Sequence, residues 1–150
     1  MTAEAIARMF RSTEARIRDE MMRVEKENAW DALATTLSYF AGPYTKSELR
    51  QMYNPRGPYS RADPHPPAPA EQVNIQSGKT RAAWGLYGPH WVGDRIVTIV
   101  ENPTKVAEWL LGGTRKMIPR PYVPAIYAEL MPRVEYRRKQ AWDRLIRSMR

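Results

Sequence analysis

Cysteine is missing from this 150-residue chain, so neither a disulfide framework nor a thiolate metal site can be built. Histidine is nearly missing: His65 and His90 are too few for a zinc cage made by protein ligands alone. Long apolar runs are lacking as well. The first twenty residues carry Glu4, Arg8, Arg11, Glu14, Arg16, Arg18, Asp19 and Glu20, which excludes a signal peptide or membrane span there and reads as a soluble protein assembled inside the cell. No carboxylate pair, serine–histidine pair or metal-ligand cluster has a spacing that singles it out. The expectation is a protein that is not an enzyme and carries no cofactor and no metal.

What is present in excess is positive charge, +8 net, unevenly placed. Residues 1–40 hold six basic and seven acidic side chains, whereas residues 133–150 hold seven basic and two acidic. Such a C-terminal excess raises the prospect of contact with nucleic acid or with an acidic protein surface.

One stretch, "QVNIQSGKTRAAWG" at 72–85, ends like a phosphate-binding loop in Ser77, Gly78, Lys79 and Thr80. The full motif needs a glycine five positions before Gly78, where successive amides must turn inward around phosphates, and that position is Val73. A proline-rich segment precedes it instead of a buried strand, and Gly85 cuts short any helix after Thr80. A nucleotide cradle is therefore not expected.

At this length a single domain, residues 1–150, is the default. Residues 3 to about 40 contain no glycine or proline and predict a long helix. Its apolar pattern changes phase: Ile6, Phe10, Ile17, Met21 and Val24 share one stripe, and Trp30, Leu33, Leu37 and Phe40 lie on nearly the opposite side. One helix on one sheet cannot bury both. Either the helix breaks near "EKENA", residues 25–29, or its first half is an arm that docks on a neighbouring copy. Thr45 and Glu48 have capping-box spacing for a short helix to about Met52. Residues 54–70 hold six prolines and read as an extended loop, with Tyr59 and His65 available for docking.

The remainder, residues 71–150, reads as sheet plus C-terminal helix. Residues 81–101 predict a hairpin turning at Gly93-Asp94. Asn102 as N-cap with Pro103 at the first helical position opens a short helix that Gly112 stops. A second helix from about Pro124 runs to the end, with Pro132 kinking it. Tyr127, Met131, Val134, Ala141, Leu145 and Met149 form its apolar stripe. Arg133, Arg137, Arg144 and Arg147 stack on a separate face, which is either solvated or turned to an anionic partner.

The order of these segments, and above all "AEWLLGGTRKMIPRPYVPAI" at 107–126, resembles the tail-completion, or head–tail joining, proteins of tailed bacteriophages, the minor tail protein Z type. Ser77 and Gly78 stand at that family's small "TG" block. Ala107, Gly113 with Thr114, Met117, Arg120 with Pro121, Tyr122 and Pro124 with Ala125 match its closing pattern. Lys79 to Arg81 lack the usual leucine, and Leu111 or Gly112 replaces the usual acid before the "G-T" turn. The segment suits a fixed contact surface or an intrachain brace, with Arg120 paired to an acid of its own chain.

The resemblance implies an α+β fold: a small antiparallel β-sheet packed with a long N-terminal helix and a C-terminal helix, with a proline-rich loop. It implies a virion neck protein whose copies form a sixfold ring between the portal, connector or stopper protein and the tail terminator or tail tube, leaving a channel for DNA and touching no membrane. Ile6, Phe10, Ile17, Met21, Tyr59, Gly113, Thr114, Arg120 and Pro121 become the expected interface, and Arg133, Arg137, Arg144 and Arg147 the DNA-facing set. The alternatives are a basic nucleic-acid-binding protein acting outside a virion, or the adjacent tail terminator.

Overall fold

The structure, a computed structural model, describes residues 2–42, 71–73 and 78–149. Its elements are α1 (Ala3–Tyr39), α2 (Lys79–Ala82), β1 (Gly85–Val92), β2 (Arg95–Glu101), α3 (Lys105–Gly112) and α4 (Tyr122–Ser148). This is the α+β arrangement read from the sequence: a long N-terminal helix, a small antiparallel sheet and a C-terminal helix. The proline-rich segment 54–70, the capping box at Thr45 and Glu48, Tyr59, His65 and Ser77 lie outside the described residues.

Helix α1 runs unbroken for 37 residues, about 55 Å at 1.5 Å per residue. The Thr2 hydroxyl opens it by accepting the Ala5 amide at 3.3 Å. The expected break at residues 25–29 does not occur. Glu25, Asn28 and Ala29 are helical and buried, because this polar stretch faces the arginines of α4. The later part of α1 lies between two partners, while Ile6, Phe10 and Trp30 stay exposed. α4 packs on one side, and the β1–β2 hairpin lies on the other, where Ala29, Trp30 and Leu33 line a cleft with Leu86, Gly88 and Pro89.

The hairpin pairs Val92 with Arg95 across Gly93-Asp94 and Gly85 with Glu101 at its open end, with an irregularity between Tyr87 and His90 around a cis Gly88–Pro89 bond. Its first strand starts later than expected, since residues 79–82 form the single helical turn α2. That turn follows Gly78 and is four residues long.

The N-cap of α3 is Thr104, whose hydroxyl accepts the Ala107 amide at 3.3 Å, and not Asn102. Asn102 is used elsewhere: its amide donates to the Thr80 carbonyl at 2.6 Å while its oxygen accepts the Thr104 hydroxyl at 2.7 Å, tying α2 to the start of α3. Helix α4 continues through Pro132. Of its expected apolar stripe, Val134, Ala141 and Leu145 are buried, whereas Tyr127 and Met149 point to solvent.

A compact core closes the end where α1 finishes. Phe40, Val73 and Tyr122 are buried together, with Tyr39, Trp84, Leu110 and Ile126 packed around them. The rings of Phe40, Trp84 and Tyr122 meet edge to face, with centroids 5.0 to 6.3 Å apart.

Candidate assembly surfaces

The segment that carries the family resemblance folds into one tight connection between α3 and α4. Gly113 has φ +73°, and a Cβ there would meet the Pro119 nitrogen at 2.8 Å and the Met117 carbonyl at 2.9 Å, so both the dihedral and the space require glycine. Thr114 then closes a small loop. Its amide donates to the Met117 carbonyl at 2.9 Å, and its hydroxyl accepts the amides of Lys116 and Met117.

The chain returns alongside α3. The Arg120 amide donates to the Leu110 carbonyl at 2.8 Å, and the Tyr122 hydroxyl donates to the Ala107 carbonyl at 2.8 Å. Burial pushes the Tyr122 phenol above its ordinary range. Arg120 is 2 % exposed, and its guanidinium donates to the Gln72 carbonyl at 2.6 Å. The Val73 amide donates to the Tyr39 carbonyl at 2.7 Å, so residues 71–73 are held between the end of α1 and Arg120. Of the two readings of this segment, the brace within the chain is the one the geometry gives for Arg120. Gly113 and Thr114 belong to the same connection, and Pro121 is exposed at the start of α4.

The arginine face of α4 is an interhelix seam. Arg133 and Arg137 reach the Asp31 carboxylate at 3.1 and 2.8 Å, Arg138 reaches Glu25 at 2.6 Å, and Arg144 reaches Glu20 at 2.8 Å. Tyr39 donates to Glu129 at 3.1 Å, and Arg16 to the Ser148 hydroxyl at 2.9 Å, extending the antiparallel pairing along both helices. The hydrogen bond from Arg23 holds the Glu20 carboxyl down to about 2, against the cost of burial and with help from Arg144. Burial opposes ionisation of Asp31, but Arg137 and Arg133 outweigh it and leave its pKa lowered. Three of the four arginines expected to face DNA are thus engaged by acids of α1. Arg147 is exposed and makes no ion pair among the described residues.

Much of the described surface is apolar. Among the described residues sixteen large hydrophobic side chains are exposed and nine hydrophobic residues are buried, three of the nine being alanine. The exposed ones fall in separate places: Ile6, Met9 and Phe10 on the first turns of α1; Val106 and Trp109 on α3; Val123 and Tyr127 at the start of α4; Trp142, Ile146 and Met149 at its end. Of the expected interface residues on α1, Ile6 and Phe10 are exposed, while Ile17 and Met21 are half-buried. Sequence reasoning misses Trp142 and Ile146. Their spacing of four is visible, but the neighbouring Ala141–Leu145 row already accounts for an apolar face of that helix.

No metal-binding group of three or more acids or histidines exists among the described residues, and no described helix is long and apolar enough to cross a membrane. No family model, curated protein or solved structure matches this chain.

Proposed function

We propose that this protein is a structural subunit of a tailed-phage neck, its copies forming a closed ring that joins the portal side to the tail and leaves a channel for DNA. The observation that carries the reading is the excess of exposed over buried large apolar side chains, distributed over several faces. A monomer gains nothing from such a surface, whereas a subunit that meets two neighbours of its own kind and further partners along an axis needs several such contacts. The motif block from Ala107 to Ala125 supports the family assignment, since its glycine, threonine, arginine and aromatic are the residues that build the α3–α4 connection.

Contact with DNA in the channel is sequence-independent in this reading and falls first to Arg147, because Arg133, Arg137 and Arg144 already face α1 carboxylates. A free-standing nucleic-acid binder is disfavoured for the same reason. The test is a density map of particles that contain this chain. Copies packed about an axis are expected, with the exposed apolar residues covered. Isolated copies, or a monomer that binds duplex DNA tightly at physiological salt, would overturn it.

A further inference from the structure

Helix α1 is longer than the helix that covers it. Its cross-seam partners run in strict antiparallel order, Asp31 with Arg133, Glu25 with Arg138, Glu20 with Arg144 and Arg16 with Ser148. At Ser148 α4 ends. Residues 3–14 therefore continue about 18 Å past the last turn of α4. The tip of the hairpin stops near Arg18, whose guanidinium lies 4.6 Å from the Trp91 ring centre and donates to the Gly93 carbonyl. No hydrogen bond or ion pair among the described residues joins residues 3–14 to another element.

This overhang is not a plain solvated helix. At 100° per residue Ile6, Phe10, Thr13 and Ile17 fall on the side from which Glu20, Val24, Asn28 and Asp31 face α4. The face that binds α4 thus runs on beyond α4, and there it becomes apolar, with Ile6, Met9 and Phe10 exposed at 37, 52 and 66 %. Glu4, Arg8 and Arg11 lie on the opposite side, so covering the stripe buries none of these charges.

A second uncovered stripe of the same kind exists on α4. Trp142, Ile146 and Met149 have i, i+4, i+7 spacing and are 45 to 48 % exposed. They sit about 100° around the helix from Ala141, Leu145 and Ser148, which face α1. We propose that the α1 overhang, residues 3–14, docks on the Trp142–Ile146–Met149 stripe of a second copy of this chain, making a three-helix cluster with that copy's α1 and α4. Both are helix faces with three exposed apolar anchors: Ile6, Met9 and Phe10 at i, i+3, i+4 within one turn, and Trp142, Ile146 and Met149 at i, i+4, i+7 over two turns, so the arm covers part of the longer stripe. The proposal rests on the assembly reading only in taking another copy as the occupant.

The area argues for a chain of such contacts over a single pair. The six side chains offer roughly 600 Å² of exposed surface, well below the about 1,600 Å² of a stable interface. One contact is weak, and closure, in which every copy gives an arm and receives one, makes the set persistent. The two stripes differ, so the contact is head-to-tail and propagates.

The absence of cysteine makes the test clean. Phe10 and Ile146 are both exposed, and within one chain they stand about 12 Å apart along the helix axis, beyond disulfide reach. The double variant Phe10→Cys/Ile146→Cys, oxidised and run on a denaturing gel, should give a ladder of covalent oligomers. Phe10→Cys alone and Ile146→Cys alone should give none, and mixing the two single variants should give a dimer. An Arg8→Cys/Tyr136→Cys control should stay monomeric. Self-linked Phe10→Cys dimers would show arms pairing with arms and overturn the proposal, as would a double variant that stays monomeric or stops at a dimer. A ring in the particle density with residues 3–14 elsewhere would remove this contact and leave the neck reading standing.

Discussion

Glu25 and Arg138 meet at 2.6 Å across the α1–α4 seam, the glutamate side chain 10 % exposed and the arginine side chain 45 %. The pair is lopsided, and its two halves should respond differently to removal. Arg138→Met strands a nearly buried carboxylate and is expected to cost about 2–3 kcal/mol. Glu25→Gln leaves a guanidinium that water already solvates and should cost about 1 kcal/mol or less. Urea unfolding of both variants at one salt concentration checks the order; equal losses would show that the seam does not discriminate between its partners.

Acid should open the same seam from its far end. Glu20 has its ordinary value near 4.5 in the unfolded chain and about 2 in the folded one, through its hydrogen bond from Arg23, opposed by burial and helped by Arg144. Between those values the unfolded chain binds more protons, so stability present above pH 4.5 is lost as pH falls toward 2. Asp31, with its carboxyl also lowered, acts in the same direction. Glu20→Gln is expected to flatten the pH dependence of the unfolding midpoint below pH 4.5. An unchanged slope would show that the arginines do not hold this carboxylate.

Two glycines share a positive φ but differ in ψ, −13° at Gly78 and −179° at Gly113, and in what surrounds them, so backbone strain and close packing both weigh more on Gly113. Gly78 and Gly113 have φ +74° and +73°, but a Cβ on Gly78 meets nothing within 4 Å, while on Gly113 it runs into Pro119 and Met117. Gly78→Ala should cost about 1 kcal/mol, the left-handed strain alone. Gly113→Ala meets both the costlier dihedral pair and contacts that backbone atoms cannot relieve, and should cost about 3 kcal/mol or more. Thermal unfolding of the pair is the measurement, and a Gly113 variant as stable as the Gly78 one would mean that the α3–α4 connection rearranges.

Much of this fold is legible in the sequence because local rules dominate it. A run of 37 helical residues without glycine or proline, a Gly-Asp turn between β-branched strands and a Gly-Gly stop are decided within a few residues. The features that escape sequence reasoning depend on partners far apart in the chain. Residues 25–29 suggest a break because the apolar stripe changes phase there, and only the arrival of Arg138 and Arg137 makes Glu25 and Asn28 interior to an unbroken helix. The arginines of α4 look one-sided for the mirror reason, since their acids stand about a hundred positions earlier. Asn102 has the right type and place for an N-cap, yet Thr104, two residues on, takes that role while Asn102 bridges to Thr80.

The aromatic core at the end of α1 gives the sharpest coupling test. Phe40 lies 5.0 Å from Tyr122 and 5.2 Å from Trp84, ring edge to face, and is 2 % exposed. Phe40→Leu keeps most of the buried volume and loses the ring contacts, for an expected cost of about 1–2 kcal/mol. Tyr122→Phe keeps the ring and removes the hydroxyl that reaches the Ala107 carbonyl at 2.8 Å, for about 1 kcal/mol. The ring pair survives in the second variant, so the losses should add in the double variant. Tyr122→Leu removes the ring itself, and its cost should fall by about 0.5–1.5 kcal/mol when Phe40 is already leucine. Additivity in that second cycle would mean that the two rings fill space without recognising each other, and that the anchoring of α4 on α1 rests on burial alone.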